Sequence, residues 1–165
     1  MQLFCLPYSG ASATVYLRWR RRAPTWLKII PVELPGRGTR FGEPCATDMG
    51  VLARQLAHII SKQLSSETKQ LSSETKQLSS EAQPYALFGH SLGGLLAFEI
   101  AHALRELKIH SPSSLIVSGT SAPTQRRDRE RGFDKPKSKA ELIAHLCEFQ
   151  GTSEEVLAHE DLLTL

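Results

Sequence analysis

Tyr85-Ala86-Leu87-Phe88-Gly89-His90-Ser91-Leu92-Gly93-Gly94 is an apolar run that stops at a serine between glycines and then resumes. Following Pro84, residues Tyr85 to Gly89 read as a short strand, and Leu92 to about Lys108 has helical spacing of apolar residues. Between the two stands G-x-S-x-G, the pattern of a serine carried on a sharp strand-to-helix turn. Such a turn needs small residues two before and two after the serine, which Gly89 and Gly93 provide, and Gly94 leaves room for close helix packing. Ser91 is therefore the candidate nucleophile, with Gly89, His90 and Gly93 forming its elbow. The Leu92 backbone N–H, at the positive end of the new helix, is a candidate donor to an oxygen that becomes negative during acyl transfer. The Leu92–Lys108 helix carries Leu95, Leu96, Phe98, Ile100, Ala103, Leu104 and Leu107, too many apolar positions for a single stripe, so much of its circumference should be buried.

The flanking sequence repeats the alternation of short apolar runs and longer amphipathic stretches that marks parallel strands joined by crossover helices. Leu3-Phe4-Cys5-Leu6 closes in the turn residues Pro7-Tyr8-Ser9-Gly10, and Ala13 to Arg22 is expected as a helix before Pro24. Trp26 to Val32 reads as a second strand, ending in the loop Leu34-Pro35-Gly36-Arg37-Gly38. Asp48 is placed to cap a helix with Leu52, Leu56, Ile59 and Ile60 on one face. A further strand is expected over Leu115 to Ser118 before Gly119, then helical patterns over Lys139–Phe149 and Ser153–Leu165, with no fifth strand. The fold class is α/β: a mostly parallel sheet flanked by helices.

Composition narrows the possibilities. A chain of 165 residues, 41% hydrophobic and 22% charged, is expected to form one domain. The start, Met1 to Leu6, has no basic segment or cleavage signature, and no run of apolar residues is long enough to span a bilayer, so neither a leader nor a membrane segment is expected. Cys5, Cys45 and Cys147 are odd in number and lack ligand spacing, which argues against a disulfide framework or a zinc site and fits a cytoplasmic protein. A net charge of +3 is too mild to imply nucleic acid. No metal or cofactor is expected. Arg18, Arg20, Arg21 and Arg22 around Trp19, and Arg126, Arg127, Arg129 and Arg131 in a later loop, could meet an acidic partner, but solvation is the simpler reading of both.

One segment breaks the pattern. Lys62-Gln63-Leu64-Ser65-Ser66-Glu67-Thr68 recurs as Lys69–Thr75 and, with alanine at the end, as Lys76–Ala82. Leu64, Leu71 and Leu78 form one apolar row, half of a coiled-coil seam, and paired serines weaken the helix. Residues 62–82 are best read as a repeat insertion that lengthens a helix or loop, rather than as a partner-binding arm.

Four segments carry a resemblance wider than the elbow: Leu3–Gly10, Val32–Gly38, Tyr85–Gly94 and Leu115–Gly119. Together they resemble type II thioesterases of the α/β-hydrolase superfamily, associated with nonribosomal peptide and polyketide synthetases. The resemblance implies hydrolysis of acyl groups from the phosphopantetheine arm of an acyl or peptidyl carrier protein, clearing stalled loads. It also implies a second oxyanion donor in the loop after the first strand, here the backbone N–H of Ser9, with Tyr8 beside it. It places Leu142–Leu146 and Glu154–Ala158 in the start of a helical lid over residues 139–165.

The mechanism so implied is attack by Ser91 on a thioester, proton removal by a histidine, and hydrolysis of the acyl-enzyme by water. In α/β-hydrolases the Asp or Glu and the His follow the serine at the ends of later strands, and the resemblance implies both lie well beyond the lid helices. His90 is expected to point away from the turn, His58 and His102 to flank the sheet, and His110 to lie in a loop; His145 and His159 fall in the lid. None is well placed as base. The chain is accordingly expected to be one partial α/β-hydrolase domain lacking the C-terminal strands, with an exposed sheet edge that favours association. Two alternatives stand beside the thioesterase: another α/β-hydrolase esterase, and a non-catalytic remnant that only docks a carrier protein.

Overall fold

The computed structural model describes residues 1–75 and 83–122, together with Ser138 and Glu141. The chain divides into two compact units, Met1–Ser121 and Ala122–Leu165. In the first, four parallel strands, β1 (Gln2–Leu6), β2 (Lys28–Pro31), β3 (Tyr85–His90) and β4 (Ser114–Ser118), form a sheet in the order β2-β1-β3-β4. Three helices connect them: α1 (Leu17–Arg20), α2 (Met49–Thr75) and α3 (Leu92–Glu106). This is the strand–helix alternation of the α/β-hydrolase class.

Side-chain alternation along the strands divides the core between the two faces of the sheet. Phe4, Leu6, Tyr85 and Leu87 pack with Leu56, Ile60, Leu96, Ile100 and Leu104 of α2 and α3. Leu3, Cys5, Ile29 and Ala86 form the opposite cluster with Tyr16. β1 and β3 are the central pair, in register from Gln2 opposite Tyr85 to Leu6 opposite Gly89. They are near-continuous apolar runs because both of their faces are covered.

The described elements depart from the sequence expectation at several ends. The helix expected over Ala13–Arg22 is a 3-10 turn, Ala13–Tyr16, followed by the single turn of α1. The break has a tertiary cause: the Tyr16 hydroxyl donates to the Leu6 carbonyl oxygen at 2.9 Å, fixing that residue to the end of β1. β2 is shorter than Trp26–Val32 because Leu27 N–H turns back to Pro24 O at 2.9 Å, and the strand tolerates Pro31 since, among the described residues, only β1 pairs with it. Asp48 caps α2 as expected, its Oδ1 accepting from Val51 N–H at 2.7 Å.

Helix α2 runs on through the first two heptads, with Leu64 buried in the core. Residues 76–82 of the third heptad lie outside the described residues. α3 ends two residues short of Lys108, which takes a left-handed φ of 56° while Ile109 N–H bonds Leu104 O, closing the helix. Ser138 and Glu141 satisfy one another, Ser138 N–H donating to Glu141 Oε2 at 2.8 Å and Glu141 N–H to Ser138 Oγ at 3.3 Å. This capping box is the start signal of the helix expected from Lys139. The remainder of the expected lid lies outside the described residues.

Candidate active site

Strand order places the site before any side chain is considered. From β1 the chain crosses to β2 on one side, and from β3 it crosses to β4 on the other, so the connections diverge beyond the C-terminal ends of the central pair. In open parallel sheets that divergence opens the crevice where ligands bind. The loop from Pro7 leaves the end of β1, and Ser91 follows the end of β3.

The turn at Ser91 has the strained geometry expected of it. Ser91 takes φ 52° and ψ −120°, a backbone conformation that L-residues rarely adopt. Its N–H donates to Ser118 O at 2.8 Å, tying the elbow to the end of β4, and its carbonyl accepts from Gly94 N–H at 2.9 Å. A Cβ on Gly89 would overlap the Gly93 and Gly94 backbone, and one on Gly93 would overlap the Leu6 carbonyl and stand 2.7 Å from Pro7 O. The glycines thus do two jobs: Gly89 lets the turn close, and Gly93 lets the end of β1 press against the first turn of α3.

That close approach brings the two candidate oxyanion segments together. Leu92 N–H is among the first donors of α3, which have no acceptor within the helix. Across from it, Pro7 is fully buried, Ser9 is exposed, and the loop turns at Gly10 (φ 79°) with Ala11 N–H bonded to Tyr8 O at 3.1 Å. Tyr16 anchors the loop from below through Leu6 O, and its ring packs edge-on against Phe88. Burial, reinforced by Cys5 and Tyr8, pushes the Tyr16 phenol up to about 12, so it stays a donor.

Two positioning residues, Tyr16 and Glu33, were not singled out from sequence. Glu33 accepts from Ala13 N–H at 3.0 Å and from Thr39 N–H at 3.4 Å, joining the connection after β1 to the one after β2. Arg40 donates to Glu33 O at 3.2 Å and pairs with Glu43, which raises the Arg40 pKa and lowers that of Glu43. Arg40 thus holds the loop through a backbone carbonyl. A carboxylate between Val32 and Leu34 was the available signal for Glu33; Tyr16 had none, since its bond spans ten residues.

The histidines expected to miss the nucleophile have other partners. His90 Nδ1 lies 3.2 Å from Ser118 Oγ, with its ring edge-on to Tyr8 and against Gly119. His102 faces Arg105 and Phe98, and His110 meets Gln83 O and Tyr85. Among the described residues no side chain hydrogen-bonds the Ser91 hydroxyl, and the one aspartate, Asp48, is the α2 cap. His145 and His159 lie outside the described residues, as does the Arg126–Arg131 cluster. Among the described residues no group of three or more His, Cys, Asp or Glu could hold a metal ion, and no helix is long and apolar enough to cross a membrane.

A parallel sheet with a strained serine elbow at its switch point defines an α/β-hydrolase-type protein. Residues 1–165 match the Thioesterase domain family, and the chain belongs to it. It is 33% identical over 159 residues to a Brevibacillus parabrevis protein named linear gramicidin dehydrogenase LgrE, covering 96% of this chain and 53% of that one. Among solved structures it is similar to the RedJ thioesterase of prodiginine biosynthesis in Streptomyces coelicolor, with a TM-score of 0.73 and 30% identity, covering 99% of this chain and 57% of that one. The type II thioesterase BorB of the borrelidin cluster gives a TM-score of 0.68 and 33% identity, over 98% of this chain and 58% of BorB. The chain therefore spans little more than half the length of these relatives.

Proposed function

We propose that this chain carries the nucleophile half of a type II thioesterase, releasing acyl groups from phosphopantetheinyl carrier proteins in the cytoplasm. Ser91 is the nucleophile: its hydroxyl gives its proton to the general base as its oxygen bonds to the thioester carbon, the carbonyl oxygen takes the negative charge, and the carbon–sulfur bond then breaks as that proton passes to the sulfur to leave the thiol. The Leu92 and Ser9 N–H groups stabilise that charge. Water subsequently hydrolyses the acyl-enzyme. The general base and its carboxylate partner are contributed by residues outside those described. The observation that carries this reading is the Ser91 elbow, strained and backed by glycine-only contacts, facing the loop after β1. Similarity to thioesterases of peptide and polyketide assembly supports the carrier-bound substrate.

The test pairs two measurements on the purified 165-residue chain. A fluorophosphonate probe read by intact mass reports whether Ser91 is activated, and an acyl-phosphopantetheinyl carrier protein reports hydrolysis. Labelling that disappears in Ser91→Ala, with thioester cleavage exceeding cleavage of a simple oxygen ester, is the expected result for a self-sufficient enzyme. Cleavage of oxygen esters alone would favour a general esterase. No labelling of a folded sample, with carrier binding retained in Ser91→Ala, would favour a docking remnant without turnover.

A further inference from the structure

None of the chain's 17 acidic residues precedes Glu33, whereas Arg18, Arg20, Arg21, Arg22 and Lys28 all do. The fold gathers this one-signed charge around two tryptophans. Trp19, on α1, is 40% exposed and is backed by Phe88 and Tyr16, with ring centroids 4.9 and 5.1 Å away. Trp26, in the connection from α1 to β2, is 62% exposed, and the Met1 ammonium donates to its carbonyl oxygen at 2.9 Å, adding a further positive charge. Arg20 Nε donates to Ile29 O at 3.2 Å, clamping α1 against β2 and so holding its basic neighbours beside that connection. Arg18, Arg21 and Arg22 are exposed, and among the described residues no carboxylate pairs with them.

The patch stands apart from the candidate active site. Lys28 pairs in register with Gln2, and Gln2 with Tyr85, so the start of β2 lies at the opposite end of the parallel sheet from Ser91, about 20 Å along the strands. A partner held there leaves the mouth at Ser91 open. Solvation accounts for the arginines but not for two exposed tryptophans among them, each offering a large apolar face. Tryptophan and arginine are the side chains that carry most binding energy at protein interfaces, and guanidinium forks match carboxylates two bonds at a time. A lipid surface fits less well: α1 is a single turn, too short to present an inserted apolar stripe, and its Trp19 ring is already committed to Phe88 and Tyr16. We propose that Arg18, Trp19, Arg21, Arg22 and Trp26 form a docking surface for an acidic protein with apolar side chains among its carboxylates, separate from any contact that delivers substrate to Ser91. The inference does not depend on reading Ser91 as a nucleophile.

Trp19 and Trp26 are the chain's only tryptophans, so its tryptophan emission reports this patch directly. The probe is a synthetic amphipathic helical peptide of glutamate and leucine, titrated into the full chain at low salt. A saturable blue shift of the emission is expected, with affinity falling as salt is raised. The double variant Arg21→Glu with Arg22→Glu should weaken binding at least about tenfold, and Trp26→Ser, read through Trp19, about fivefold. All three side chains are exposed, so the denaturation transition should stay where it is; Arg18→Glu repeats the charge reversal at an independent position. Polyglutamate, with the charge but not the apolar groups, should bind more weakly than the peptide. Absence of a saturable shift, or peptide affinity unmoved by both charge reversals, would overturn the proposal. Tighter binding to phosphatidylglycerol vesicles or to a single-stranded oligonucleotide than to the peptide would also overturn it, in favour of a lipid or nucleic-acid surface. Ser91→Ala should bind the peptide as the unmodified chain does, so a chain that cleaves no carrier thioester would break the thioesterase reading and leave this surface standing.

Discussion

The central strands β1 and β3 and the outer strand β4 belong to one sheet, yet they are built to different standards of enclosure. Cys5, Leu6, Tyr85 and Leu87 are wholly buried, whereas Leu115, Ile116 and Val117 of β4 are 36, 45 and 48% exposed. The opposite edge, β2, is also unpaired on its outer side among the described residues, but it is short and carries Lys28 and Pro31, both of which discourage further pairing. β4 has no such device. The difference teaches that the site's rigidity comes from the centre, where Gly89 and Gly93 join β1, β3 and α3 almost without clearance. β4 contributes mainly Ser118, whose carbonyl holds Ser91 N–H.

The largest effect should follow from disturbing the centre. In Gly93→Ala the new methyl overlaps the Leu6 carbonyl, and backbone cannot yield there without separating β1 from α3. A loss exceeding about 4 kcal/mol is expected, seen as loss of a cooperative denaturation transition. An unchanged transition would show that the junction is looser than its geometry implies. Alkaline titration probes the same region. Burial pushes the Cys5 thiol from 9.0 to about 12 and the Tyr16 and Tyr85 phenols from 10.0 to about 12. All three are neutral in the fold and ionise more readily in the unfolded chain, so their contribution to stability is complete below about pH 9 and lost as the pH rises toward 12. Denaturation midpoints should fall across that window. Tyr16→Phe together with Cys5→Ala should flatten the fall, since both lie on the β1 side.

These same residues explain what was legible in the sequence. The elbow could be read because its demands are local: Gly89, Ser91 and Gly93 sit within five positions, and a strand and a helix flank them. The Asp48 cap and the covered faces of α3 followed for the same reason, each being a matter of spacing along one element. The break between Ala13–Tyr16 and α1 could not be read, because it depends on Tyr16 reaching Leu6 O across the fold. Nor could the Glu33 bridge, whose acceptors serve two different connections. The cavity beside the elbow draws on Leu34, Met49, Leu52, Leu92 and Leu96, from a loop and two helices, and its lining was invisible until those elements were assembled.

A smaller effect separates function from stability at the elbow. Ser91 holds φ 52° and ψ −120°, a conformation costing a serine about 1–3 kcal/mol. Ser91→Gly removes that strain but adds roughly 1 kcal/mol of unfolded-state entropy. A net gain of about 1 kcal/mol is expected, appearing as a Tm higher by a few degrees, together with loss of any fluorophosphonate labelling. Ser91→Ala removes the hydroxyl without relieving the backbone and should leave Tm nearly unchanged. Equal Tm values for the two variants would mean that the turn is not strained by its serine.

The smallest change in folding free energy is expected on β4, although its consequence for association should be plain. Ile116 pairs with Phe88 in register and is nearly half exposed, so replacing it by lysine removes little buried apolar area. A stability change within about 1 kcal/mol is expected for Ile116→Lys. The same charge placed on an open, apolar strand opposes edge-to-edge pairing between copies. Sedimentation velocity should therefore show the unmodified chain associating with rising concentration and Ile116→Lys shifting toward monomer. Lys28→Ile on β2 is the matching control, since Pro31 still blocks that edge: it should leave association unchanged. If Lys28→Ile promotes association as strongly as Ile116→Lys suppresses it, the two edges are equivalent and the distinction between them fails.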